Sequence, residues 1–129
     1  MLNNAAVFSG FSVNNIQAAL AFYRDTLGLD VTDMANMGLT VAFSSGGSAF
    51  VYEKPDHVPA TFTILNFSVD DIDAAVDELV TKGVKFEHYD TMPGAQDEKE
   101  IMRGKAANMG PDIAWFKDPA GNILAILQN

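Results

Sequence analysis

The 129-residue chain is 48% hydrophobic and 19% charged, which excludes a disordered chain and fits one globular domain or two small half-domains packed together. It contains no cysteine, so disulfides, thiolate nucleophiles and zinc–thiolate centres are excluded, and no apolar run approaches the ~18 residues of a membrane span. Seventeen Asp and Glu against eight Lys and Arg give a net charge of −9, a field that repels nucleic acid and anionic lipid and favours a neutral or cationic small molecule. No basic-then-apolar leader opens the sequence, and a cytoplasmic protein is the expectation.

In chain order, Phe11, Ser12 and Val13 alternate before the pair Asn14-Asn15. Ile16, Leu20, Tyr23 and Leu27 then recur at helical spacing, with Gly28 as the stop. Strands are expected over residues 30–32 and 39–43, and over 49–52 after the turn Ser45-Gly46-Gly47-Ser48. Residues 54–59, with two prolines and a histidine, break both periodicities. The pattern then returns. FSVNNIQAAL at 11–20 becomes FSVDDIDAAV at 67–76, with six of ten residues identical. A helix stripe of Ile72, Val76, Leu79 and Val80 follows, stopped by Gly83. Strands are expected over 84–89, over 113–116, and over 123–127 after the turn Asp118-Pro119-Ala120-Gly121-Asn122.

Each half therefore reads β-α-β-β-β. The expected fold is α+β, two tandem modules (1–57 and 58–129) whose curved sheets enclose a cleft. A sheet with its helix on one face leaves the other face uncovered, so the candidate site is expected on the faces opposite the helices.

The segments FYRDTLGLDV (22–31) and WFKDPAGNILAILQ (115–128), together with the internal repeat, resemble the vicinal oxygen chelate superfamily. That family includes glyoxalase I, bleomycin-resistance proteins, fosfomycin-resistance enzymes and extradiol dioxygenases. The resemblance covers roughly residues 5–128. Its metal-dependent members hold a divalent ion through His, Glu or Gln at inward-facing positions of the first and last strands of each half, leaving coordination sites open to substrate oxygens. Carried over, those positions fall on Phe8, Ile64, Val51 and Ala125, none of which can bind a metal. A one-residue shift at the Gly47 turn would substitute Phe50 or Tyr52 for Val51. No metal and no cofactor are expected.

Strand alternation outlines the expected cavity wall. Phe8, Gly10 and Ser12 share one face; Phe62, Ile64, Asn66 and Ser68 share another. Ala49, Val51 and Glu53 go together, as do Ile123, Ala125 and Leu127, and one of Trp115 and Phe116 must face the cavity. The long segment 90–112 places Met92, Met102 and Met109 between glycines, with Arg103 and Lys105 as positive charge near the mouth. Residues 33–38, with Met34 and Met37, occupy the corresponding place in the first half. Glu53 is the candidate general base, whereas neither His57 nor His88 has a serine or acid at a spacing that argues for a triad.

The leading expectation is metal-independent binding or sequestration of a small organic molecule by a homodimer, as in the bleomycin-resistance branch. The alternative is a metal-dependent lyase, isomerase or dioxygenase whose metal has moved to involve Glu53 or His88. A filled interior serving association alone is the third reading.

Overall fold

The computed structural model describes residues 1–91 and 94–129; Met92, expected beside the cavity, lies outside the described residues. The chain forms two compact units, Met1–Pro59 and Ala60–Asn129. Among the described residues no helix is long and apolar enough to cross a membrane.

Both units grow from the repeated segment. Strand β1 (Ser9–Val13) leads into helix α1 (Ile16–Leu20), and β5 (Thr63–Ser68) leads into α2 (Ile72–Thr81). The second member of each Asn or Asp pair is the cap. Asn15 and Asp71 have extended backbones, and their side chains accept from the Ala18 and Ala74 amides at 3.0 and 3.1 Å. A second orphan amide at each helix start is satisfied from the far end of the unit. Ile16 N–H donates to Glu53 Oε1 and Ile72 N–H to Gln128 Oε1, both at 2.9 Å. The helices then diverge. α1 opens into a π segment, Ala21–Thr26, in which Leu27 N–H reaches back to the Phe22 carbonyl, while α2 stays regular until Gly83 at φ +93°.

In the first unit β2 (Asp30–Asp33), β3 (Leu39–Ala42) and β4 (Ser48–Glu53) complete a sheet of order β1-β4-β3-β2. The second unit adds β6 (Met102–Arg103), β7 (Asp112–Lys117) and β8 (Ile123–Gln128) in the order β5-β8-β7-β6. The β1/β4 and β5/β8 pairs are parallel and the rest antiparallel. These are the two four-stranded modules of an α+β fold.

The strand expected over 84–89 does not form a ladder. Among the described residues of that stretch only Phe86 bridges, to Phe116, and Glu87 N–H donates to the Trp115 carbonyl at 2.8 Å. Beyond that point the Gln96 side chain takes the place of a strand partner: its carboxamide accepts from Tyr89 N–H and donates to the Glu87 and Glu100 carbonyls at 2.7–2.8 Å. The fourth strand is supplied by Met102 and Arg103 instead.

The register decides which residues are core. Phe11 touches the helical Tyr23, with ring centroids 5.8 Å apart, and pairs with Val51, which pairs with Leu39; Tyr23, Val51 and Leu39 are at most 1% exposed. In the second unit Leu124, Ile126, Ala114 and Phe116 share the corresponding face, with Ile72 and Val76 of α2 buried in the same unit.

Candidate functional site

The other face of the first sheet is partly exposed. Gly10 and Ser12 of β1 stand beside Phe50 and Tyr52 of β4, their register partners. The Phe50 and Tyr52 rings are stacked, 6.1 Å apart at 19°. Phe8, just before β1, is 66% exposed and Tyr52 is 37% exposed. Two glycines shape this ledge. Gly10 leaves the strand bare, with only the Phe50 carbonyl oxygen near the position a Cβ would take, at 3.8 Å. Gly38 (φ +125°) must be glycine, because a Cβ there would collide with the Val51 carbonyl oxygen and crowd the Phe50 ring. At the strand end Tyr52 also lines a groove of about 510 Å³ with Gln17, Asp33, Asn36, Met37 and Glu53.

This arrangement differs from the expected wall by one residue in β4. Val51 is fully buried on the helix side, and Glu53 lies beyond it, holding the Ile16 amide. The reason is the turn before the strand. Gly46 N–H donates to the Phe43 carbonyl and Phe43 N–H to the Gly47 carbonyl. The second unit repeats this with Gly121 N–H to Asp118 and Asp118 N–H to Asn122. Gly46, not Gly47, is therefore the counterpart of Gly121, and the counterpart of Ala125 is Phe50 rather than Val51. The four positions become Phe8, Phe50, Ile64 and Ala125, and none offers a metal ligand. The paired roles of Glu53 and Gln128, each a polar residue ending its strand, were the sequence signal for this alignment.

On the second sheet Asn66, Ala125 and Trp115 are register partners, and Met102 pairs with Ile113 on the same face. Ile64 sits half-buried at the β5 irregularity, outside the paired register, and Phe62 precedes the strand at 68% exposure. Trp115 is 7% exposed; the Tyr89 ring meets it edge-on at 5.7 Å, and Phe116 turns to the helix side against Phe86. The buried Tyr89 hydroxyl has no hydrogen-bond partner among the described residues; burial, and then the Glu87 carboxylate, push its pKa up.

Arg103 is tied into a network of acids instead of serving as free positive charge. Its guanidinium donates to both Asp73 oxygens at 2.7 and 3.0 Å and to Asp97 at 2.9 Å, while Lys99 donates to Asp77 at 3.1 Å. Hydrogen bonding from Arg103 holds the Asp73 carboxyl down to about 2. The segment around residues 97–103 is thereby fastened to α2.

His88, one of the two residues of the relocated-metal alternative, is held by two acids. His88 contacts Glu100 through Nδ1 at 2.6 Å and Asp90 through Nε2 at 2.9 Å, so the two carboxylates flank opposite ring nitrogens and do not converge on one point. Among the described residues no group of three His, Cys, Asp or Glu could hold a metal ion. His57 instead meets Ser12: Ser12 Oγ and His57 Nδ1 are 2.7 Å apart. The two are 45 residues apart in sequence, and no spacing motif announced the contact.

Comparison with known proteins gives a consistent picture. The family model for the Glyoxalase/Bleomycin resistance protein/Dioxygenase superfamily matches residues 6–126. No curated protein matches the sequence. Among solved structures the chain is similar to TnmS3, an antibiotic binding protein from Streptomyces sp. CB03234, at 25% identity and TM-score 0.65, covering 97% of each chain. It is also similar to a glyoxalase/bleomycin resistance protein from the same organism (25% identity, TM-score 0.60, 95% of this chain and 100% of that one). A superfamily member from Sphaerobacter thermophilus DSM 20745, at 23% identity and TM-score 0.66 over 97% of this chain and 98% of that one, shares the fold.

Proposed function

Because the chain belongs to the Glyoxalase/Bleomycin resistance protein/Dioxygenase superfamily but carries Phe8, Phe50, Ile64 and Ala125 where metal-dependent relatives carry ligands, we propose that it binds and sequesters a small organic molecule without a metal. The partly exposed aromatic face of the first sheet carries this reading. Stacked Phe50 and Tyr52, an exposed Phe8 and the bare Gly10 offer apolar surface, and Ser12 offers a polar anchor at its edge. The net charge of −9 favours a neutral or cationic ligand. The likeness to an antibiotic binding protein supports the same class of ligand. The reading takes the chain as a cytoplasmic homodimer, with exposed Phe8, Val58 and Phe62 as apolar surface available to a second copy.

Equilibrium dialysis against a panel of aromatic antibiotics, with and without EDTA, tests the proposal. The expected result is a binder retained equally in both conditions and weakened about tenfold by Phe50→Ala, the loss of one stacking contact. Binding abolished by EDTA, or no binder from the panel, would overturn it.

A further inference from the structure

The contact between Ser12 and His57 lies at the edge of the same aromatic face and offers proton transfer, which binding alone does not use. We propose that Ser12 is a nucleophile with His57 as its general base, and that the pair accepts the acyl group of an aryl ester.

Local structure builds the pair. Residues 54–57 form a tight turn closed by His57 N–H donating to the Lys54 carbonyl at 3.0 Å. Pro55 takes the turn's second position, where its fixed φ is already correct, and Lys54 reaches Asp56 at 3.1 Å across it. Lys54 N–H donates to the carbonyl of Val13, the residue after Ser12, at 3.0 Å. That bond returns the turn to the end of β1 and sets the imidazole against the hydroxyl. Both residues are half-buried, so the bond is neither fully solvated nor shut away from a ligand.

The neighbourhood suits one class of substrate. Gly10 is two residues from Ser12 on the same face and has no side chain, which leaves room for an acyl group beside Oγ. The stacked rings of Phe50 and Tyr52 on the adjacent strand offer a surface for a flat aryl leaving group.

The ring tautomer protonated at Nε2 leaves Nδ1 to receive the hydroxyl proton. Ser12 Oγ then forms a bond to the acyl carbon, the bond from that carbon to the aryl oxygen breaks, and the departing oxygen takes the proton from His57 Nδ1. A water molecule deprotonated by the same nitrogen attacks the acyl-serine, and Ser12 recovers its proton. Ester and water become carboxylic acid and phenol, with no change of oxidation state.

Reaction of the purified chain with a fluorophosphonate tests this directly, because Oγ attack on phosphorus expels fluoride and leaves a stable adduct. Intact mass is expected to rise by one phosphonyl group per chain, and peptide mapping to place the group on Ser12. Ser12→Ala removes the adduct, and His57→Gln slows its formation about 100-fold, the scale of a lost general base. A wild-type chain that stays unlabelled, an adduct mapped to another residue, or an unchanged rate in His57→Gln would each overturn the proposal. The wild-type adduct and its position do not depend on any variant folding. Antibiotic binding by the unlabelled wild-type chain, measured by dialysis, tests the sequestration reading separately.

Discussion

The two units share a framework and differ in what lies on the face away from the helix. In the first, that face is a partly exposed ledge: Gly10 and Tyr52 are exposed, the half-buried Phe50 ring stacks on Tyr52, and the polar contact at its edge joins a hydroxyl to an imidazole. In the second, Trp115 is buried and met edge-on by Tyr89, while on the helix side the segment around residues 97–103 is fastened to α2 by Arg103 and Lys99. Duplication supplied two equal frames. On the face away from the helix, Trp115 is packed against Tyr89 in one, whereas Gly10 and Tyr52 stay exposed in the other.

If Trp115 is packing and Phe50 is ledge, truncating them must have opposite signatures. Trp115→Ala is expected to cost about 3–5 kcal/mol of folding stability, the range for a buried aromatic, in urea unfolding followed by far-ultraviolet circular dichroism. A cost under about 1 kcal/mol would mean that Trp115 is surface available to a ligand, and the contrast between the units would fail. Next in size is the fastening itself. Arg103→Leu removes the charge-assisted bonds to Asp73 and Asp97 and is expected to cost about 1–2 kcal/mol, a figure discounted because the guanidinium is 35% exposed. Its pH dependence is diagnostic. The Asp73 carboxyl is held at about 2 against an ordinary 3.8, so its contribution is complete above about pH 4 and fades as pH falls towards 2. The variant should show a flatter acid limb over that interval.

A smaller effect tests the symmetry that the units retain. Glu53→Ala and Gln128→Ala each leave one helix-start amide without its side-chain acceptor, and each is expected to cost about 0.5–1 kcal/mol in thermal unfolding. Glu53→Gln, which gives the first unit the residue of the second, should be nearly neutral in stability. A large loss in Glu53→Gln would show that the carboxylate does more than hold the Ile16 amide.

These capping residues also mark how far the sequence could be read. The duplicated strand–helix segment, both caps and the two-module fold were legible, because period and cap chemistry are local. The absence of ligands at the four metal positions was equally legible from residue identity. What failed was counting across a turn. Ser45-Gly46-Gly47-Ser48 offers two glycines, and only the backbone hydrogen bonds show which one matches Gly121. A one-residue slip moves every later side chain to the other face, which is how Val51 and Glu53 came to stand in for Phe50 and Tyr52. The Ser12–His57 pair and the use of Gln96 in place of a strand partner were hidden for another reason. Each depends on a non-local contact that hydrophobic periodicity does not encode.

The two histidines carry the contrast into pH dependence. His57 bonds a neutral hydroxyl, whereas His88 sits between the carboxylates of Glu100 and Asp90. Hydrogen bonding to Glu100 first, and to Asp90 second, raises the His88 pKa above its ordinary 6.5. A raised value means that the folded chain holds this proton more tightly than the unfolded chain. The stabilisation is therefore complete below about pH 6.5 and is lost as pH climbs through the raised value. Because the imidazole is exposed, the effect should be the smallest of those considered and should weaken with added salt. Urea midpoints on either side of that interval, in the wild type and in His88→Gln, read it out: the wild type should lose more on the alkaline side, and the excess should shrink at high salt. An excess that survived high salt would mean that the contact is shielded from solvent, and that this edge of the second unit is more closed than its exposure implies.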